Sequence, residues 1–281
     1  MMKPAETEDI ASRLDLHLLK LFSREQHPVQ LRQQLMNTTA EIAVSPFSLA
    51  NQGFLDPSCR EEDERAIVNL IDYTFERFFL PSMPPSQVYR YVCDAEKTLH
   101  YQSSDVEQNK PLLLESVHHH MVFSYLALTV PMLAKNGVTV SKVILLHLQP
   151  DLDPRLQQIS RSFAYTSEVE FVGVPFNRHW IRSLKSEVTA QSLIIYMGDM
   201  PASLFNTEPT QTLQLTREAP HPPFTIRTVT IASQLAKHLG AAHHFLDYSR
   251  DGKATFRPAD AHLKCPLTDW IFWPAINAMY L

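Results

Sequence analysis

Two short clusters in this 281-residue chain carry groups that could move a proton. His118, His119 and His120 follow the apolar run Pro111–Val117, and Asp199, inside Gly198-Asp199-Met200, follows the apolar run Ser192–Met197. If both runs are strands of one sheet, a histidine and a carboxylate leave it at strand ends, can meet there, and can do general base work. Glu115, inside the first run, is a second candidate acid, and which of the three histidines serves stays open at this level. The plain alternative is one core histidine with two surface neighbours and an aspartate that only caps a turn. Three histidines in a row also suggest a metal, but consecutive residues on a strand point to opposite faces and cannot all reach one ion. No metal is therefore expected, and His243–His244 meets the same objection.

The elements that must position these groups change character along the chain. Residues 1–105 read as a helical region packed on the core. Its clearest part begins after Pro57, where Ser58 and Glu61 form a capping box. Ile67, Leu70, Ile71, Thr74, Phe75, Phe78 and Phe79 then follow at helical spacing, as the core-facing stripe of a helix that ends before Pro81. From residue 106 to 281 short apolar runs alternate with helical segments. The candidate strands are Pro111–Val117, Lys142–Leu148, Val169–Val174, Ser192–Met197 and His243–Tyr248. The candidate helices are Leu156–Phe163, Trp180–Lys185 and Val229–Leu239, the last closed by Gly240. This alternation predicts an α/β fold with a mixed, largely parallel sheet flanked by helices. Ligands of such sheets bind at the carboxyl ends of strands, where both clusters fall.

Composition excludes several classes. Charged residues make up 20% of the chain and its net charge is −5, so it has no global basic field and nucleic acid is not an expected partner. With 6 glycines against 20 prolines, and neither GxGxxG nor GxxxxGK[ST], phosphate-cradling loops are absent from the sequence. There is no GxSxG nucleophile elbow. The 3 cysteines, Cys59, Cys93 and Cys265, are too dispersed for a disulfide framework or a zinc site, which suggests a reducing compartment. The opening residues lack the basic and apolar regions of a secretory signal, so export by that route is not expected. The uncharged stretch Met121–Ala134 is interrupted by Pro131 and is shorter than the roughly twenty apolar residues of a spanning helix. Arg178, Arg182 and Lys185 recur at intervals of four and three, which places them on one helical face that could meet an anionic partner.

Over residues 60 to 275 the order of these features resembles the lipid A late acyltransferases of the lysophospholipid acyltransferase superfamily. In that family a strand ends in an H-x4-D/E motif whose acid orients the histidine, and the histidine deprotonates an acceptor hydroxyl. LLLESVHHHMVF aligns His118 with the histidine and Phe123 with the acid, and shifting to His119 or His120 gives Ser124 or Tyr125. The motif is broken, leaving Glu115 and Asp199 as candidate orienting acids. The family's Arg-Pro and Asn-Pro block resembles Gln149-Pro150 and Asp153-Pro154, with Gln149 at the arginine position. Its strand ending in Asp-Gln resembles Leu193–Met197 followed by Asp199. The segment from Pro222 to Lys253 resembles a family helix that leads through Gly240-Ala241 into a strand and an Arg250-Asp251-Gly252 turn. Leu267–Ile276 resembles its Trp-rich end.

The resemblance implies a divergent acyltransferase or aminoacyltransferase. It would move an acyl or aminoacyl group, in its most specific version a glycyl group, from a carrier-protein thioester to a lipid A hydroxyl, as do the lipid A glycyltransferases of the superfamily that confer polymyxin resistance. His118, Asp199, His119, His120 and Glu115 are the catalytic candidates, and Gln149, Arg178, Arg182 and Lys185 the substrate-binding ones. The implied partners are an acyl or aminoacyl carrier protein, whose phosphopantetheine arm carries the donor, a lipid acceptor, and the inner face of the inner membrane, where a cytoplasmic peripheral protein would work. No cofactor bound by the chain itself is expected. The alternatives are a carrier-dependent transferase of a peptide or polyketide pathway and a catalytically dead scaffold of the same fold.

Overall fold

A computed structural model describes residues 97–101, 109–147, 169–176, 178–201, 211–217, 222–249, 251–259 and 262–270, with further helical positions between 61 and 76. The main body is a seven-stranded sheet. Its strands are β1 (Leu99–Tyr101), β2 (Leu112–Ser116), β3 (Lys142–His147), β4 (Glu170–Pro175), β5 (Ser192–Met197), β9 (Ala242–Tyr248) and β10 (Ala254–Pro258), in the spatial order β1-β10-β9-β2-β5-β3-β4. The five strands from β9 to β4 run parallel. β10 is antiparallel to β9 and β1 parallel to β10. The expected α/β class with a mixed, largely parallel sheet is what the chain forms.

Why these runs are central strands follows from their composition. All five residues of β2, Leu-Leu-Leu-Glu-Ser, are buried, as a strand covered on both faces requires. Alternate residues feed two cores. Leu113, Ile144, Ile194 and Tyr196 pack with two helices, α2 (Trp180–Glu187) and α3 (Ala232–Leu239), through Leu184, Ala232, Leu235 and Ala236. Leu112, Leu114, Val143, Leu145, Leu193 and Ile195 belong to the larger core, with α1 (Val122–Lys135) and a second sheet. That four-stranded sheet, in the order β11-β7-β8-β6, comprises β6 (Met200–Pro201), β7 (Gln211–Thr216), β8 (Phe224–Val229) and β11 (Leu263–Pro266).

The five expected strands lie within a residue or so of their observed bounds. The helix expected over Val229–Leu239 is shorter, because the β-branched run ending at Val229 pairs with β7 as a strand and the helix starts only at Ala232. Gly240 closes it at φ 65°, the left-handed conformation expected there. α1, fourteen residues long with Pro131 inside, covers the uncharged stretch. Among the described residues no helix is long and apolar enough to cross a membrane.

Most of the 1–105 region, the helix expected at Leu156–Phe163 and the apolar stripe from Ile67 to Phe79 lie outside the described residues. The described positions between 61 and 76 are helical, whereas Leu99–Tyr101 is an edge strand of the main sheet. The buried residues among those helical positions are Glu62, Ala66, Asn69, Asp72 and Glu76, a face that is largely polar. It caps α1, whose own N-cap, Met121, supplies no side-chain bond. The carboxylate oxygen Oε2 of Glu76 accepts from the N–H groups of Phe123 at 3.0 Å and Ser124 at 3.3 Å, and the Ser124 hydroxyl bonds the other oxygen. An acid from a distant helix thus sits at the first turn of α1, at Phe123 and Ser124. Burial pushes the Glu76 carboxyl up to about 8, against the pull of those hydrogen bonds.

Candidate functional site

β2 and β5 are parallel neighbours with Ser116 opposite Met197. His118 and Asp199 each lie two residues beyond that pair, so the sheet's own register brings them together. The chain leaves β2 toward β3 on one side and leaves β5 toward β9 on the other. Their carboxyl ends therefore mark the point where strand order reverses, the usual ligand position of an open α/β sheet.

There His118 Nδ1 and Asp199 Oδ1 are 2.8 Å apart. Asp199 Oδ2 accepts two further bonds, from the His118 backbone N–H at 2.8 Å and the indole N–H of Trp270 at 2.8 Å. Asp199 is completely buried, and burial by itself would raise its pKa. The adjacent His118 and the three hydrogen bonds outweigh that and hold the carboxyl below its ordinary value. An ionised Asp199 places the shared proton on Nδ1, and in the neutral ring Nε2 then carries the lone pair. The His118 side chain is 21% exposed, whereas Asp199 has no exposure. A buried carboxylate that fixes the tautomer of a partly accessible imidazole is the arrangement a general base requires.

The other candidate residues have different places. His119 is buried and stacks on Tyr248 with ring centroids 3.9 Å apart. Its Nδ1 accepts from the Met121 N–H at 3.1 Å, which puts the ring proton on Nε2, facing Asp269 Oδ2 at 3.7 Å. Burial lowers the pKa of His119 against the opposing pull of Asp269. His120 donates its backbone N–H to the Asp269 carbonyl at 3.1 Å. Glu115 does not orient His118. It is fully buried on the α3 side, where it accepts from the Thr230 hydroxyl at 2.8 Å and lies 2.9 Å from His243 Nε2.

His119 and His120 do come together, against the expectation that consecutive histidines point to opposite faces. The strand ends at Ser116, so the alternation of faces no longer applies beyond it, and the His119 and His120 rings lie 4.1 Å apart. Ligand atoms of His119, His120 and Asp269 fall within 4.8 Å of one another. A metal there would need the Nε2 lone pair of His119, and hence loss of the bond from Met121. Inside β9 the alternation does hold: His243 faces Glu115, while His244 stacks on Phe256 across the sheet at 4.8 Å.

Gln149 lies outside the described residues. Arg178, Arg182 and Lys185 are all exposed, at or on α2, which follows the carboxyl end of β4. With His179, Trp180 and Ile181 they line an open pocket of about 520 Å³. Ile181, at 45%, is the exposed large hydrophobic residue among the described positions. α2 begins after the carboxyl end of β4, three strand places from β2 in the sheet order.

Sequence reasoning missed Trp270, Asp269, Glu76 and the pairing of Glu115 with His243. Leu267–Trp270 forms a turn that serves both acid sites. Trp270 holds Asp199, and Asp269 faces His119 while its Oδ1 accepts from Asn69 at 2.8 Å and Thr268 at 2.9 Å. The signal available was the tryptophan of LTDW, whose single N–H needs an acceptor when buried. No protein-family model matches the chain, and none of the curated proteins compared with it matches.

Proposed function

We propose that the chain is a transferase that moves an acyl or aminoacyl group from a carrier-protein thioester to a hydroxyl of a lipid, with lipid A as the acceptor, a glycyl group as the most specific donor, and His118 as the general base. The observation that carries this reading is the 2.8 Å contact between His118 Nδ1 and the buried Asp199 at the carboxyl ends of two adjacent parallel strands. Nε2 of His118 takes the acceptor's hydroxyl proton as its oxygen attacks the thioester carbonyl. The carbon–sulfur bond breaks, the departing thiolate recovers the proton, and an ester and a free thiol result. Asp199 holds the ring in the tautomer that can accept the proton and stabilises the imidazolium that forms.

The exposed cations support an anionic partner, since Arg178, Arg182 and Lys185 line one pocket in a chain of net charge −5. A phosphorylated lipid head or an acidic carrier protein has that charge. In this reading the protein works at the cytoplasmic face of the inner membrane as a peripheral protein, and no cofactor bound by the chain itself takes part. The test is the lipid A mass spectrum of cells that produce His118→Ala in place of the natural chain. Loss of the transferred group is expected, and normal modification would exclude His118 as the base.

A further inference from the structure

Asp199 is held at its oxygens by His118 and Trp270, but its backbone is set by the residue before it. Gly198 donates its N–H to the Ser116 carbonyl at 2.7 Å, which ties the turn after β5 to the end of β2. Its other side is filled by a carboxyl group. A Cβ on Gly198 would lie 2.1 Å from Glu115 Oε1 and 2.8 Å from both Cδ and Cγ of that residue. Glycine is needed here by this close approach, and the acid occupies the space a side chain would take.

Glu115 is in turn fixed from three directions. It belongs to β2, the strand that leads to His118. Its Oε1 accepts from Thr230, whose hydroxyl also receives the Ala232 N–H at 3.1 Å and so starts α3. Its Oε2 lies 2.9 Å from His243 at the beginning of β9. A fully buried carboxylate is costly to place, and it holds its geometry only when its oxygens have partners. Both oxygens of Glu115 have one.

We infer that Glu115, held by His243 and Thr230, is the positioning residue of the His118–Asp199 pair and acts through Gly198. It rests on reading that pair as a working dyad, and it touches neither the imidazole nor any reacting atom. The carboxyl packed against Gly198 leaves the turn one conformation, and that conformation aims the Asp199 carboxylate at Nδ1 of His118. Without the carboxyl, Gly198 regains the wide backbone freedom of a glycine, and Asp199 loses its fixed direction.

Ring nitrogen NMR of the full-length protein labelled with ¹⁵N-histidine tests this without any substrate, with His118 assigned from the signals missing in His118→Gln. The wild type should show His118 locked with the proton on Nδ1 and Nε2 unprotonated. Glu115→Ala should show averaging between the two tautomers and at least tenfold faster exchange of the Nδ1 proton. Glu115→Gln, which keeps the shape beside Gly198, should restore the locked pattern. A folded Glu115→Ala with the wild-type His118 pattern would overturn the proposal. If Glu115→Ala does not fold, Thr230→Val decides in its place, because it frees Oε1 and should produce the same averaging in part; an unchanged pattern there is equally fatal. A wild-type His118 that is not locked on Nδ1 would overturn the dyad itself, an outcome visible before any Glu115 variant is made.

Discussion

Among the described residues two histidine–carboxylate pairs have nearly the same short separation, whereas His119 and Asp269 lie 3.7 Å apart. His118 and Asp199 are 2.8 Å apart, and His243 and Glu115 are 2.9 Å apart. Both acids are fully buried. The difference lies in where each pair leaves the sheet. His118 and Asp199 stand past the carboxyl ends of adjacent strands, where a ring can meet a ligand. Glu115 and His243 belong to strands and face α3, where the same chemistry joins elements. The same pair chemistry thus serves two structural settings, one past the strand ends and one within the sheet.

Removing the acid of the first pair should have the largest effect. Asp199→Ala leaves the His118 N–H, the His118 ring and the Trp270 indole without their acceptor, and breaking a buried pair in this way costs about 3–5 kcal/mol. Denaturant unfolding measures it as a lower midpoint. Gly198→Ala strikes between the two pairs. The new methyl group would meet the Glu115 carboxyl, and overpacking of this kind costs about 1–3 kcal/mol. If Gly198→Ala were as stable as the wild type, the Glu115 carboxyl would not pack against Gly198.

A smaller effect separates these paired acids from Glu76, which burial raises to about 8 from an ordinary 4.5. The unfolded chain releases this proton near pH 4.5, and the folded chain keeps it until about pH 8. Between those values the folded state binds more protons, so this group's contribution to stability falls as pH rises. Thermal melts of Glu76→Gln should lose that part of the wild-type decline, most plainly between pH 6.5 and 8. His244 has the opposite sign. Burial lowers it to about 4 from 6.5, so its contribution is complete above pH 6.5 and is lost as pH falls toward 4. His244→Phe, which keeps a ring against Phe256, should be less sensitive to acid over that range.

What was legible in the sequence follows the same division. His118 and Asp199 could be paired because each follows a continuous apolar run, and adjacent parallel strands in register carry equal offsets past their ends to the same place. The second sheet was not legible: β7, Gln-Thr-Leu-Gln-Leu-Thr, has short alternation and polar residues, and β8 ends inside a stretch that reads as helix. Trp270 and Glu76 could not be placed for a different reason. Their partners are 71 and 47 residues away, and no local spacing encodes such a contact. Two buried acids from distant positions flank the start of α1, Asp199 on His118 and Glu76 on Phe123 and Ser124.

Whether His118, oriented by Asp199, is the base of a transfer reaction is tested most directly by the amount of transferred group on lipid A in cells producing the wild type, His118→Gln or Asp199→Asn, with each protein's level checked. His118→Gln should abolish the modification, and Asp199→Asn, which can hold the ring in the wrong tautomer, should lower it by orders of magnitude. Wild-type modification by a folded His118→Gln would contradict that role.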